Sequence, residues 1–217
     1  MSTVGVPVDD AGVAVVTIDN PPINLMTIEV FVDLSAVVER LAGDDAVRAV
    51  VLRSAVDEWF IAHFDVDAIL QFPTDQPEPT ELNGFHRMCE RLRTMPKPTI
   101  AQIEGRIGGG GSEVALSCDM RYAAPGTRFA VLEIKWGLVP DMSGTQLMRH
   151  LARDDVIREL TYTGRMFDAD EAVRMGFVTR VCDDPLAEAM ETARYIATRN
   201  PDAIRADKQL LNAMHHL

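Results

Sequence analysis

Cysteine is scarce in this chain. The three thiols, Cys89, Cys118 and Cys182, are odd in number, far apart and without a Cys-x-x-Cys pair. They fit free thiols in a reducing compartment better than a disulfide framework or a zinc site, so no metal is expected. Positive charge is also short: 21 basic against 33 acidic residues leave a net charge of −12. That argues against nucleic acid or an anionic membrane as the main partner, although a small anionic ligand needs only a local positive site. No apolar run approaches the roughly 20 residues of a membrane span. The first basic side chain, Arg40, follows Asp9, Asp10 and Asp19. A signal peptide or an Arg-rich transit peptide would look different, so a cytoplasmic location is expected. Internal repeats and low-complexity segments are absent as well.

What is there reads as an ordinary globular composition, 47% hydrophobic and 25% charged over 217 residues. That length suffices for one sizeable core, and a single domain over 1–217 is expected. Val4 to Val8 and Val13 to Ile18 flank Asp9-Asp10-Ala11-Gly12 and read as a hairpin. Pro21-Pro22 ends the second strand. Thr27 suits an N-cap for a helix with Val30, Phe31, Leu34, Val37, Val38 and Leu41 on one face, and Gly43 is expected to close it. Val47 to Leu52 reads as a buried strand and Thr99 to Ile103 as another. Pro73, Pro77 and Pro79 mark a surface loop over 72–80, and Leu82, Phe85, Met88, Cys89 and Leu92 form a further helical face. Strands alternating with helices predict an α/β fold of βαβ units to about residue 141. From Met142 on, helices are expected over 145–152, 156–163, 168–175, 186–198 and 201–214, with one strand over 177–181.

Gly108-Gly109-Gly110-Gly111 stands between the Thr99–Ile103 strand and the helix beginning Glu113-Val114-Ala115. Four glycines leave peptide N–H groups uncovered at a helix start, which suits an anion or a developing oxyanion. A phosphate loop needs Gly-Lys-Ser/Thr, a dinucleotide fingerprint needs Gly where Glu113 stands, and a nucleophile elbow needs Gly where Val114 stands. A plain Gly-rich connector that lets a helix pack closely is the alternative reading.

The stretch GGGGSEVALSCD, Gly108 to Asp119, resembles the signature of the enoyl-CoA hydratase/isomerase family, the crotonases. So do Asn20-Pro21-Pro22-Ile23-Asn24, Phe60-Ile61-Ala62-His63-Phe64-Asp65, Met95-Pro96-Lys97-Pro98 and Gly137-Leu138-Val139-Pro140, in the family's order and spacing. The resemblance implies a crotonase-like spiral of βαβ units followed by a C-terminal helical region. It also implies a homotrimer or a dimer of trimers. The chain ends at Leu217, earlier than the family usually does, so some oligomerising or acyl-pocket helices are expected either to be absent or to lie beyond this sequence. The implied ligand is an acyl-CoA thioester, with coenzyme A as part of the substrate and no further cofactor.

Adding water to a 2-enoyl thioester puts negative charge on the thioester oxygen, and two peptide N–H groups stabilise it. By resemblance those donors are the amides of Phe64 and Gly110. Substrate contacts are implied for Ala62, His63, Phe64, Asp65, Gly109 and Gly110. The water must lose one proton and the α-carbon gain another, which suits two carboxyls. Glu113 and Glu133, 20 residues apart, match the spacing of the family's two catalytic glutamates. Taken alone, Glu113 is also an acid in a helix's first turn, and Glu133 a solvated loop carboxylate.

Asp141 follows Pro140, where the dienoyl-CoA isomerase branch has a proton-shuttling aspartate. It equally suits an N-cap for the next helix. His63 stands where the family usually has Gly; it adds bulk and backbone strain, as an extra acid/base or as a side chain turned from the thioester. Trp59, Phe64 and Trp136 suit an acyl channel or ordinary core. The phosphate-binding base is not named by the sequence, and His215-His216 reads as a solvated end. Three functions follow: an enoyl-CoA hydratase, a double-bond isomerase using Glu133 and Asp141, and a catalytically weak acyl-CoA-binding subunit.

Overall fold

The pattern of apolar runs becomes two sheets. The computed structural model describes residues 4–71 and 84–213. The proline loop over 72–80, Leu82 and the His215-His216 pair lie outside the described residues. The chain opens with β1 (Val4–Gly5) and β2 (Val13–Ile18), an antiparallel pair with Val4 opposite Ile18. Helix α1 (Ile28–Gly43) follows, with the Thr27 hydroxyl accepting the Val30 amide at 3.3 Å as an N-cap. Then come β3 (Ala49–Ser54), β4 (Trp59–Ile61), α2 (Val66–Ile69) and α3 (Gly84–Thr94). The centre holds β5 (Thr99–Ile103), β6 (Arg106–Gly108), α4 (Gly110–Leu116), β7 (Met120–Ala123) and β8 (Arg128–Ala130). A 3-10 turn, Glu133–Trp136, leads to α5 (Gly144–Met148), α6 (Asp154–Thr163) and β9 (Met166–Asp168). The chain continues through α7 (Ala169–Met175), β10 (Arg180–Val181), α8 (Pro185–Ala197) and α9 (Pro201–Ala213).

The larger sheet has the order β1-β2-β3-β5-β7-β10 and is parallel from β2 onward. The smaller has the order β4-β6-β8-β9, with β8 and β9 antiparallel. Consecutive strands step from one sheet to the other, β3 to β4, β5 to β6 and β7 to β8, which makes the path a spiral. The central strands are largely apolar because both faces are covered. Val13, Ala49, Val51, Ile100 and Tyr122 pack against Ala189 and Ala193 of α8. Their neighbours Ala14, Val50, Leu52 and Ala101 point the other way, into the larger core.

Several expectations need correction. Gly43 is the last helical residue, and the chain turns at Asp44 with a φ of −88°, so no left-handed glycine is used there. Asp168 does not start a helix's first turn. It ends β9 and caps α7, accepting the Glu171 amide at 2.8 Å. Strand β9 itself gave no sequence signal, being three residues held by pairing with β8.

α9 is fastened by a buried cation. The Lys208 ammonium donates to the Lys97 carbonyl and to Asp119 Oδ2, both at 2.8 Å. Asp119 also accepts the amide and hydroxyl of Thr99, so one carboxylate joins the starts of β5 and β7 to the middle of α9. No helix among the described residues is long and apolar enough to cross a membrane.

Candidate active site

The glycine run sits where α4 leaves β6. Gly109 has a φ of 47°, a conformation L side chains rarely adopt, and its carbonyl accepts the amides of Ser112 at 2.8 Å and Glu113 at 3.2 Å. Gly110 and Gly111 lie inside the helix, one turn earlier than the sequence suggests. A Cβ on Gly111 would stand 2.5 Å from the Ile61 carbonyl oxygen, so glycine lets the first turn of α4 rest on β4 backbone.

That approach sets Gly110 beside Phe64: a Cβ at Gly110 would lie 3.5 Å from Phe64 Cβ and 3.8 Å from Phe64 N. Both amides are left out of the regular ladders. The Met26 amide donates to the His63 carbonyl and the Asp65 amide to the Met26 carbonyl, each at 3.0 Å, bypassing the Phe64 N–H. Gly110 opens α4, so its N–H has no helical carbonyl behind it.

Glu113 lies three residues further along α4, on the same side as Gly110. It is 3% exposed, and its Oε1 accepts the Gly144 amide at 2.8 Å. Glu133 opens the 3-10 turn and is 9% exposed, so it is not a solvated loop carboxylate. Neither of its carboxyl oxygens has a hydrogen-bond partner among the described residues. Gly109 lies next to it, with a Cβ there only 3.4 Å from Glu133 Oε1.

A cavity of about 200 Å³ takes in Gly110, Glu113, Glu133 and Asp141 on its polar side. Phe64, Ile69, Phe85, Leu138 and Met142 supply apolar wall. Phe85 packs edge-on against Phe64, with ring centroids 4.8 Å apart. Trp59 and Trp136 are not among the described residues lining this space. Trp59 lies beneath the Arg106 guanidinium, and Trp136 is exposed.

The other sequence candidates divide. Asp141 is exposed at the cavity and does not cap α5: the N-cap is Ser143, with a φ of 87° and no side-chain hydrogen bond. His63 has no positive φ and hence not the expected backbone strain. Its Nδ1 is 2.7 Å from the Phe64 carbonyl, to which it donates in the corresponding tautomer. Asp65 caps α2, accepting the amides of Asp67 and Ala68. Ala62 is buried. Ala62, His63, Asp65 and Gly109 adjoin the site without being among the described lining residues.

Burial pushes the Glu113 carboxyl well above the ordinary carboxylate range, and the charge of Glu133 adds to it. The Gly144 amide pulls the other way. Glu133 is also raised, first by burial. The backbone amides of Leu132 and Glu133 oppose this without reaching hydrogen-bonding geometry, while Asp141 reinforces it. Both carboxyls border one cavity, and both are held above the ordinary carboxylate range, by burial first.

The profile of the enoyl-CoA hydratase/isomerase family matches residues 9–216. The chain belongs to this family. The short-chain-enoyl-CoA hydratase of Clostridium acetobutylicum is 33% identical over 205 residues, which cover 92% of this chain and 77% of that protein. The solved enoyl-CoA hydratase of Bacillus anthracis superposes with a TM-score of 0.89 at 26% identity, covering 97% of this chain and 82% of that one. DspI of Pseudomonas aeruginosa gives a TM-score of 0.91 at 28% identity, covering 100% and 82%. The crotonase spiral read from the motifs is therefore the fold of the chain, with its hydratase/isomerase glycine segment between β6 and α4.

Gly144 escaped the sequence reading, and no local signal could have found it. Its contact with Glu113 spans 31 residues. Phe85 was visible only as part of a helical apolar face, which says nothing of the cavity it borders, and Ile69 carried no signal.

Proposed function

We propose that this chain is an enoyl-CoA hydratase, adding water across the 2,3 double bond of a 2-enoyl-CoA thioester. The observation that carries the reading is two buried carboxyls, Glu113 and Glu133, on one cavity beside the amides of Phe64 and Gly110. Glu113 takes a proton from water as its oxygen bonds to C3. The π electrons move toward the thioester oxygen, where the two amides receive the charge; loss of one such donor typically costs about 2.7–4 kcal/mol. The enolate then takes a proton at C2 from Glu133. One proton held by the pair is the state this chemistry needs: one carboxylate to accept and one carboxyl to give. Coenzyme A is part of the substrate, and the reaction calls for no other cofactor.

Asp141 on the same cavity supports a second reading, double-bond isomerisation, with Glu133 and Asp141 passing one proton between two carbons. Incubation with a panel of 2-enoyl-CoA and 3-enoyl-CoA thioesters separates the two. Hydrated products from 2-enoyl-CoA are expected. Migration of the double bond without hydration supports the isomerase, and no turnover of any member refutes both.

A further inference from the structure

Asn24 is 0% exposed and lies outside the described lining of the cavity. Its φ of 53° is left-handed, a region that Asn tolerates better than most side chains. Its amide group is fully engaged. Oδ1 accepts the Asn20 amide at 2.9 Å. Nδ2 donates to the Phe60 carbonyl at 2.6 Å, the Ser54 hydroxyl at 3.0 Å and the Ile18 carbonyl at 3.5 Å. One side chain thus ties the ends of β2 and β3 to the middle of β4. The Asn20 side chain adds a second brace, donating to the Leu25 carbonyl at 2.8 Å.

Two residues beyond Asn24, Met26 holds the backbone on both sides of Phe64. Along an extended segment successive N–H groups face opposite sides. With the Asp65 amide turned onto Met26, the Phe64 amide faces away from it, toward the side where Gly110 stands. We propose that Asn24, with Asn20, is a positioning residue that locks the 20–26 turn so that Met26 aims the Phe64 amide at the thioester oxygen. This rests on the Phe64–Gly110 reading of the site.

Asn24→Gly keeps the left-handed backbone and removes the side-chain bonds. Asn20→Ala is the milder companion, since Asn20 is only half-buried. Each is compared with the parent well below its melting temperature, by hydration kinetics on a 2-enoyl-CoA and by the absorbance of bound cinnamoyl-CoA. That probe moves to longer wavelength as its carbonyl is polarised. Asn24→Gly is expected to lower kcat about tenfold or more with KM changed less than about threefold, and to shrink the absorbance shift. Asn20→Ala is expected to do the same to a smaller degree. A role in stability alone would lower melting and leave both readouts untouched. Parent-like kcat and shift in folded Asn24→Gly overturn the proposal. If Asn24→Gly does not fold, parent-like values in Asn20→Ala overturn it. Absence of any shift in the parent removes the oxyanion reading instead, and the proposal falls with it.

Discussion

The Glu113 Oε1 and the Gly144 amide are 2.8 Å apart, joining a carboxyl on α4 to the first residue of α5. The bond fixes one oxygen of the buried acid. Glu133, facing the same cavity, has no such anchor among the described residues. The two carboxyls therefore differ in freedom as well as in position.

Replacing either glutamate by glutamine keeps shape and removes proton transfer. Glu133→Gln is expected to cut hydration and α-proton exchange by roughly 10²–10⁴-fold, with acyl-CoA binding nearly intact. Glu113→Gln should reduce hydration more than isomerisation, because only hydration uses an activated water. Steady-state kinetics with deuterium exchange at C2 checks this, and parent-like turnover in the double variant would falsify the assignment.

Asp141 does not cap α5, so Asp141→Asn should leave melting nearly unchanged. If the chain is a hydratase, hydration also persists. If it isomerises through Glu133 and Asp141, double-bond migration collapses while the fold stays intact. Paired melting and product analysis decides between them.

Stability should depend on pH with a definite sign. Glu113 and Glu133 are both raised in the folded chain, whereas in the unfolded chain glutamate titrates near about 4.3. Above that value the folded state holds more protons than the unfolded one. Stability therefore falls as pH rises from the unfolded value through the folded ones. Glu133→Gln should melt higher than the parent at pH 8, with the gain fading toward pH 4. A difference that stays constant with pH in scanning calorimetry would contradict the burial argument.

Gly111→Ala places a methyl carbon 2.5 Å from a backbone oxygen of β4, which no rotamer can relieve. Forcing α4 off β4 should destabilise the fold by about 1–3 kcal/mol. The Gly110 amide moves with the helix, so hydration should fall further than the folded fraction does. Chemical denaturation and single-turnover kinetics on the same preparation separate the two effects.

Much of the fold was legible because it is local. Thr27 as a cap, the mostly apolar runs of β3 and β5, and the apolar stripe of α1 all leave a period or a residue type in the sequence. Strands β4, β8 and β9 left none, since three residues cannot display a period and exist only because a neighbour pairs with them. Among the candidate-site residues, the glycine run was visible in itself, and Glu113 and Glu133 through the resemblance to the crotonases. Trp59 and Trp136 were visible only as aromatics, and composition does not say which way a ring faces.

The sequence by itself determined that the chain alternates strands with helices, carries a glycine turn before Glu113, and belongs to one family. Tertiary structure alone decided that Gly144 holds Glu113, that Glu133 is buried without a hydrogen-bond partner among the described residues, and that Met26 bonds on either side of Phe64 and bypasses its amide. The reason is separation along the chain. A cap or an apolar stripe joins residues within one or two turns, so spacing records it. These contacts join residues that meet only after the spiral has set which strands and helices lie side by side.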